Sequence, residues 1–89
     1  MSKTGVQTDI SYAQRLYREV KGNIRYYVLK VYRNLFDEYI LESIYGSIKN
    51  KSPTGVRRDY FITLEEALKV RAKKVDAKMQ KGYSSSGYI

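Results

Sequence analysis

The chain has no cysteine, no histidine and no tryptophan, and a single proline, Pro53, in 89 residues. Without cysteine, no disulfide can restrain the fold and no thiolate can hold a metal. That suits a reducing compartment. Without histidine, the usual general base near neutral pH and the commonest metal ligand are both missing. Catalysis would have to rest on Ser, Thr, Tyr, Lys or nine acidic residues. Those acids are scattered, and Asp37 and Glu38 sit at a loop–strand junction with no metal-ligand partners in the sequence around them. No Gly-rich phosphate loop is present. The sequence therefore points away from an enzyme, with no cofactor, no metal and no small-molecule substrate expected. No apolar run approaches the roughly 20 residues that span a membrane. The first nine residues lack the apolar core of a signal peptide, so a cytoplasmic location is the expectation.

What is present is positive charge and tyrosine. Seventeen Lys and Arg face nine Asp and Glu, giving a net charge of +8, and the pI is near 9.7. A field of that sign favours polyanions. Ten residues are Tyr. A tyrosine fills a core with its ring while keeping a polar tip for water or phosphate. A chain of this length forms one domain that buries only about 60–65% of its unfolded surface, so its stability margin is thin.

Residues 1–11 are polar and aperiodic and read as a flexible arm. From Tyr12 to Val20, Leu16 and Val20 share one face at strand spacing and Arg15, Tyr17 and Glu19 the other. Tyr12, Leu16 and Val20 also stand at i, i+4 and i+8, which leaves a helix open. Lys21-Gly22-Asn23 signals a turn. Ile24–Tyr32 is dense in Tyr, Val and Leu and apolar on both faces, as in a central strand. Residues 33–37 form a loop carrying the large apolar pair Leu35 and Phe36, which either folds back on the core or makes an exposed patch. Glu38–Ile48 is a third strand, with Tyr39, Leu41, Ser43 and Tyr45 on one face and Ile40, Glu42, Ile44 and Gly46 on the other. A long turn follows over residues 49–55. Val56–Ile62 makes a fourth strand, in which the adjacent Arg57 and Arg58 point to opposite faces unless a bulge redirects one of them.

Thr63 and Glu66 match a capping box. Leu64, Leu68, Ala72, Val75 and Met79 then trace one helical stripe, with Ala67 beside it. Lys69, Lys73, Lys74, Lys78 and Lys81 lie off that stripe and read as a solubilising face. Gly82 suits a left-handed helix terminus, and Tyr83 can fold back against the last turn. Residues 84–89 read as a frayed tail. The fold class is α+β: one small domain, an antiparallel sheet of about four strands packed by one C-terminal amphipathic helix.

The candidate site begins at Tyr45-Gly46. A strand ending in an aromatic-Gly step places a ring at the sheet margin, where the glycine permits close backbone approach. In a basic chain such a ring can stack on a nucleotide. Lys49, Lys51, Arg57 and Arg58 flank the turn that follows and are the candidate phosphate contacts, each releasing counterions on binding. No helix is shaped like a major-groove reader, so backbone contacts rather than base readout are expected.

The order of these elements, the Tyr26-Tyr27 strand, Tyr45-Gly46, Phe61 before a capped helix carrying Glu66-Ala67, and Lys81-Gly82-Tyr83 together resemble the WGR domain. This module is found in DNA-break-dependent poly(ADP-ribose) polymerases and as small bacterial proteins. The resemblance spans about Leu16 to Tyr83 and assigns residues 12–83 to the domain. Its name-giving Trp-Gly-Arg triplet stands here as Tyr45-Gly46-Ser47. In the polymerases the triplet's aromatic packs against a sugar at a DNA 5′ end, and its Arg joins DNA and interdomain contacts. The resemblance gives Tyr45 the stacking role and Gly46 the backbone geometry, while Ser47 carries no charge. It also favours DNA over RNA as the nucleic-acid partner. The rival reading is a protein-interaction or homodimerisation module. It rests on Leu35-Phe36, the Tyr surplus and open sheet edges. No amphipathic helix with a broad aromatic face speaks for a membrane partner.

Overall fold

The computed structural model describes residues 9–85, with side chains from Ala13 onward. Four strands, β1 (Asp9–Val20), β2 (Asn23–Arg33), β3 (Tyr39–Ser47) and β4 (Gly55–Phe61), precede one helix, α1 (Leu64–Gln80). Each strand pairs antiparallel with the next, so the sheet is a meander in the order β1-β2-β3-β4. The α+β class expected from the sequence is the one observed.

Short local signals set the connections. Lys21 and Gly22 both take positive φ, 52° and 81°, as a two-residue hairpin turn matched to strand twist requires. At the β2–β3 turn, Asn34 Oδ1 accepts hydrogen bonds from the backbone N–H groups of Phe36 and Glu38, both at 2.9 Å, and Asp37 takes φ 63°. These polar contacts define the turn, and Leu35 and Phe36 stand exposed at its tip. They do not fold back on the core.

Residues 12–20 are strand and not helix. The strand also begins at Asp9, three residues before the expected start, and its pairing with β2 is interrupted by a bulge between Ile10 and Tyr12. A partner strand can extend a polar, aperiodic segment through backbone hydrogen bonds that no side-chain pattern advertises. Residues 1–8 of the expected arm lie outside the described residues, as do residues 86–89 of the expected tail. Ser84 is paired: its N–H donates to Tyr17 O at 2.8 Å and its carbonyl accepts from Tyr17 N at 2.9 Å.

Helix α1 covers one face of the sheet. Leu16, Tyr27, Leu29, Val31, Leu41 and Ala67 are its buried centre, with Tyr39, Phe61, Leu64, Leu68, Val70, Val75 and Tyr83 packed around them. The helix starts at Thr63, whose side chain accepts from Glu66 N at 3.1 Å. It ends in a Schellman motif: Tyr83 N–H donates to Lys78 O and Gly82 N–H to Met79 O, both at 3.0 Å, with Gly82 at φ 103°.

The helical stripe is rotated from the expected one. Ala72 and Met79 are exposed, while Arg71, Lys74 and Lys78 are half-buried. Arg71 Nη1 donates to Gln14 Oε1 at 2.7 Å. From Arg71 onward the helix also meets Gln14, Tyr27 and Asp59, and these select cations.

Candidate nucleic-acid interface

Strand register brings the site together. Tyr27 lies opposite Tyr45, Leu29 opposite Ser43, and Arg25 opposite Ser47. Ser43 lies opposite Arg57, and Tyr45 opposite Gly55. By strand alternation all of these point to the helix side of the sheet. The C-terminal half of α1 roofs them incompletely, leaving an open cavity of about 300 Å³. Its walls carry four cations, Arg25, Arg57, Lys74 and Lys78, and three tyrosines, Tyr27, Tyr45 and Tyr83. Ser43 and Gly46 complete the lining.

The tyrosines form a graded stack. Tyr27 is buried and Tyr45 is 37% exposed. Their ring centroids lie 5.8 Å apart with planes 25° from parallel. Tyr83 meets Tyr27 edge-on at 6.3 Å. Tyr45 is thus held on one side by a core ring and reaches solvent beside it. Two glycines set this position. A Cβ on Gly55 would sit 2.5–2.8 Å from the Tyr45 ring atoms. A Cβ on Gly46 would sit 2.9 Å from Thr54 N and 3.0 Å from the Tyr26 hydroxyl. Thr54 N–H donates to Tyr45 O at 2.8 Å, so the glycine and the hydrogen bond together draw the long turn against the end of β3.

The cations are closely set. Lys78 Nζ stands 4.4 Å from the Tyr27 ring centroid and 5.4 Å from that of Tyr83. Burial pushes its pKa down, and Lys81, Lys74 and Arg18 push it in the same direction. Asp59 lies next to the cavity, with Oδ1 3.2 Å from Arg57 Nε and Oδ2 4.0 Å from Lys74 Nζ. The Ser43 hydroxyl is buried, 1% exposed, with no hydrogen-bond partner among the described residues. Concentrated positive charge beside an exposed ring suits an anion bearing a flat or ring-shaped group.

The structure brings Tyr45, Gly46 and Arg57 to the cavity and separates the other three candidates from it. Arg58 points to the opposite face, where it bonds Glu42 at 2.9 Å. The Tyr32 hydrogen bond, then Glu42, raise its pKa. Burial first, then Glu42, raise that of Tyr32. No bulge interrupts the β3–β4 register, so simple alternation decides the matter. Lys49 and Lys51 are exposed in the β3–β4 turn and do not line the cavity. Lys74, Lys78, Tyr27, Tyr83 and Ser43 were not expected at the site from the sequence. Arg25 is one of several cations on the first strands whose face the sequence leaves open, and pairing Tyr27 with Tyr45 across the hairpin settles it, since Arg25 stands opposite Ser47.

Ser47 is structural. It is 5% exposed, and its hydroxyl donates to Asn23 Oδ1 at 2.7 Å. Among the described residues no group of three or more acidic side chains could hold a metal ion, and no helix is long and apolar enough to cross a membrane.

A family model described as WGR domain matches residues 8–88. No curated protein and no solved structure matches the chain.

Proposed function

The chain belongs to the WGR domain family, and from that premise we propose that it is a small nucleic-acid-binding module that acts without catalysis. In this reading Arg25, Arg57, Lys74 and Lys78 take phosphates, Tyr45 stacks on a sugar or base at the rim, and Gly46 fixes the ring's position. Lys49 and Lys51 add diffuse attraction from the turn, and Arg58, held by Glu42 on the far face, takes no part. DNA is the favoured nucleic acid over RNA, bound with little regard to sequence because the contacts reach backbone and not base edges. The observation that carries the reading is the convergence of four cations and a half-exposed tyrosine on one cavity.

The test is fluorescence anisotropy with a blunt duplex, a nicked duplex, a single strand and an RNA strand across a salt series. Four phosphate contacts give a slope of log K against log salt of about −3.6 on duplex and about −2.8 on single strands. Removing Lys74 or Lys78 flattens the duplex slope by about 0.9. Tyr45→Ala weakens binding by about 1–3 kcal/mol with the slope unchanged. Absence of binding at about 50 mM salt, where electrostatic association is strong, overturns the reading.

A further inference from the structure

The two edges of the sheet are unlike. The β1 edge is interrupted by the bulge near Ile10 and strapped by Ser84 at Tyr17. Both features discourage pairing with another chain. The β4 edge has neither: its register with β3 runs unbroken from Gly55 to Phe61, and among the described residues no element lies beyond it. Val56 and Tyr60 are exposed on one face of this strand, with Ile62 just past its end. Arg57 and Asp59 lie on the other face, 3.2 Å apart. Residues 56–60 therefore read apolar, basic, basic, acidic, aromatic, and this order is complementary to itself when reversed.

We propose that β4 pairs antiparallel with β4 of a second copy of this chain, about a two-fold axis at Arg58. Val56 then lies opposite Tyr60 of the second copy, and Arg57 opposite Asp59 of the second copy, so each interface forms two apolar cross-strand pairs and two ion pairs. Arg58 faces its own counterpart, but each guanidinium is already bonded to Glu42 of its own chain at 2.9 Å, which offsets the like-charge contact. The axis runs perpendicular to the sheet, so both helices stay on one side. With α1 over β3, which it contacts most, the helices would stand about 14 Å apart at about 4.8 Å per strand, beyond the 8–10 Å of packed helices. Both cavities then open on the same face of an eight-stranded sheet. The pairing does not depend on the nucleic-acid reading.

A seven-residue edge is smaller than a standard interface, and two chains of charge +8 repel. The expected association is weak, at about high-micromolar to millimolar dissociation constant, and tightens with salt as the repulsion is screened. Nucleic-acid binding by the same chain responds in the opposite direction. The absence of cysteine makes the register directly testable. Opposed cross-strand Cα atoms lie about 4.5–5.5 Å apart, within disulfide reach. Val56→Cys mixed with Tyr60→Cys should oxidise to a covalent dimer at least tenfold faster than either variant alone. Ile62→Cys, more exposed but lacking a matching position, should not crosslink with itself. Sedimentation velocity of the unmodified chain should show dimer rising from about 50 mM to 500 mM salt. A monomer at about 1 mM protein in high salt, crosslinking of Ile62→Cys as fast as the mixed pair, or a dimer whose crosslinks map elsewhere overturns the proposal.

Discussion

Replacing Gly46 and Gly55 separately by alanine tests whether the end of β3 is built as described. At Gly46 the new methyl would stand 2.9 Å from Thr54 N and 3.0 Å from the Tyr26 hydroxyl, against an ordinary contact of about 3.4–4 Å. Thr54 N cannot retreat without losing its 2.8 Å bond to Tyr45 O. Overpacking of this kind costs about 1–3 kcal/mol, and the reduced freedom of the unfolded chain returns about 0.4–1 kcal/mol. The net loss of about 1–2 kcal/mol lowers Tm by about 4–16 °C in a domain of this size. At Gly55 the nearest atoms to the methyl are the hydroxyl and outer ring atoms of Tyr45, which is part-exposed and can swing away. The loss there is the ring stack with Tyr27, about 0.5–1.5 kcal/mol, and the same chain-entropy gain nearly cancels it. Gly55→Ala is therefore expected to melt close to the parent yet bind nucleic acid less well, while Gly46→Ala melts early. Circular dichroism melting with urea titration measures both. A Gly46→Ala protein within about 2 °C of the parent, or a Gly55→Ala protein less stable than Gly46→Ala, refutes the close-approach argument.

Ser47→Ala should cost about 1 kcal/mol by removing the donor to Asn23 Oδ1, and Ser47→Arg should cost more because it places a charge at a sealed position; an arginine variant as stable as the parent in urea would sink this reading. Thr63→Ala should lose about 1 kcal/mol with the N-cap, seen as a drop of about 4–8 °C in Tm. Lys78 has a folded-state pKa below its ordinary value of 10.5, so just below that value the unfolded chain binds more protons and this residue's contribution to stability rises with pH. Nucleic-acid binding should weaken over the same window as the charge is lost. Lys78→Met should reduce both slopes, and titrations just below pH 10.5 that leave either slope as steep as in the parent would contradict it.

Alternation, turn residues and the cap made the strands and the start of α1 legible, because each reports a local backbone preference. The ambiguity of Tyr12–Val20 was resolved only by pairing, since Leu16↔Tyr27 and Arg18↔Arg25 are contacts between segments. The helix face was misjudged for a related reason. Leu64, Leu68 and Val75, with Ala67, lie on both the expected and the observed face. Beside them Lys74 and Lys78 turn inward where the sheet presents Asp59 and the Tyr27 ring, and nothing within the helix encodes that. At the site, Tyr45 and Gly46 were visible as a step in one strand and Arg57 as its neighbour across the turn. Arg25 and Lys78 reach the cavity through register and helix rotation, which a linear sequence does not display.

The bridge between Tyr17 and Ser84 joins β1 to the segment just past α1. Every other strand pairing in the meander links neighbours along the chain, so those contacts close short loops and can form early and quickly. The bridge closes nearly the whole described chain, a larger loop than any strand pairing closes, so it is expected to form late in folding. Slow amide exchange at Tyr17 and Ser84 would serve as a clock for the moment when the helix has docked and the tyrosine cavity has taken its shape.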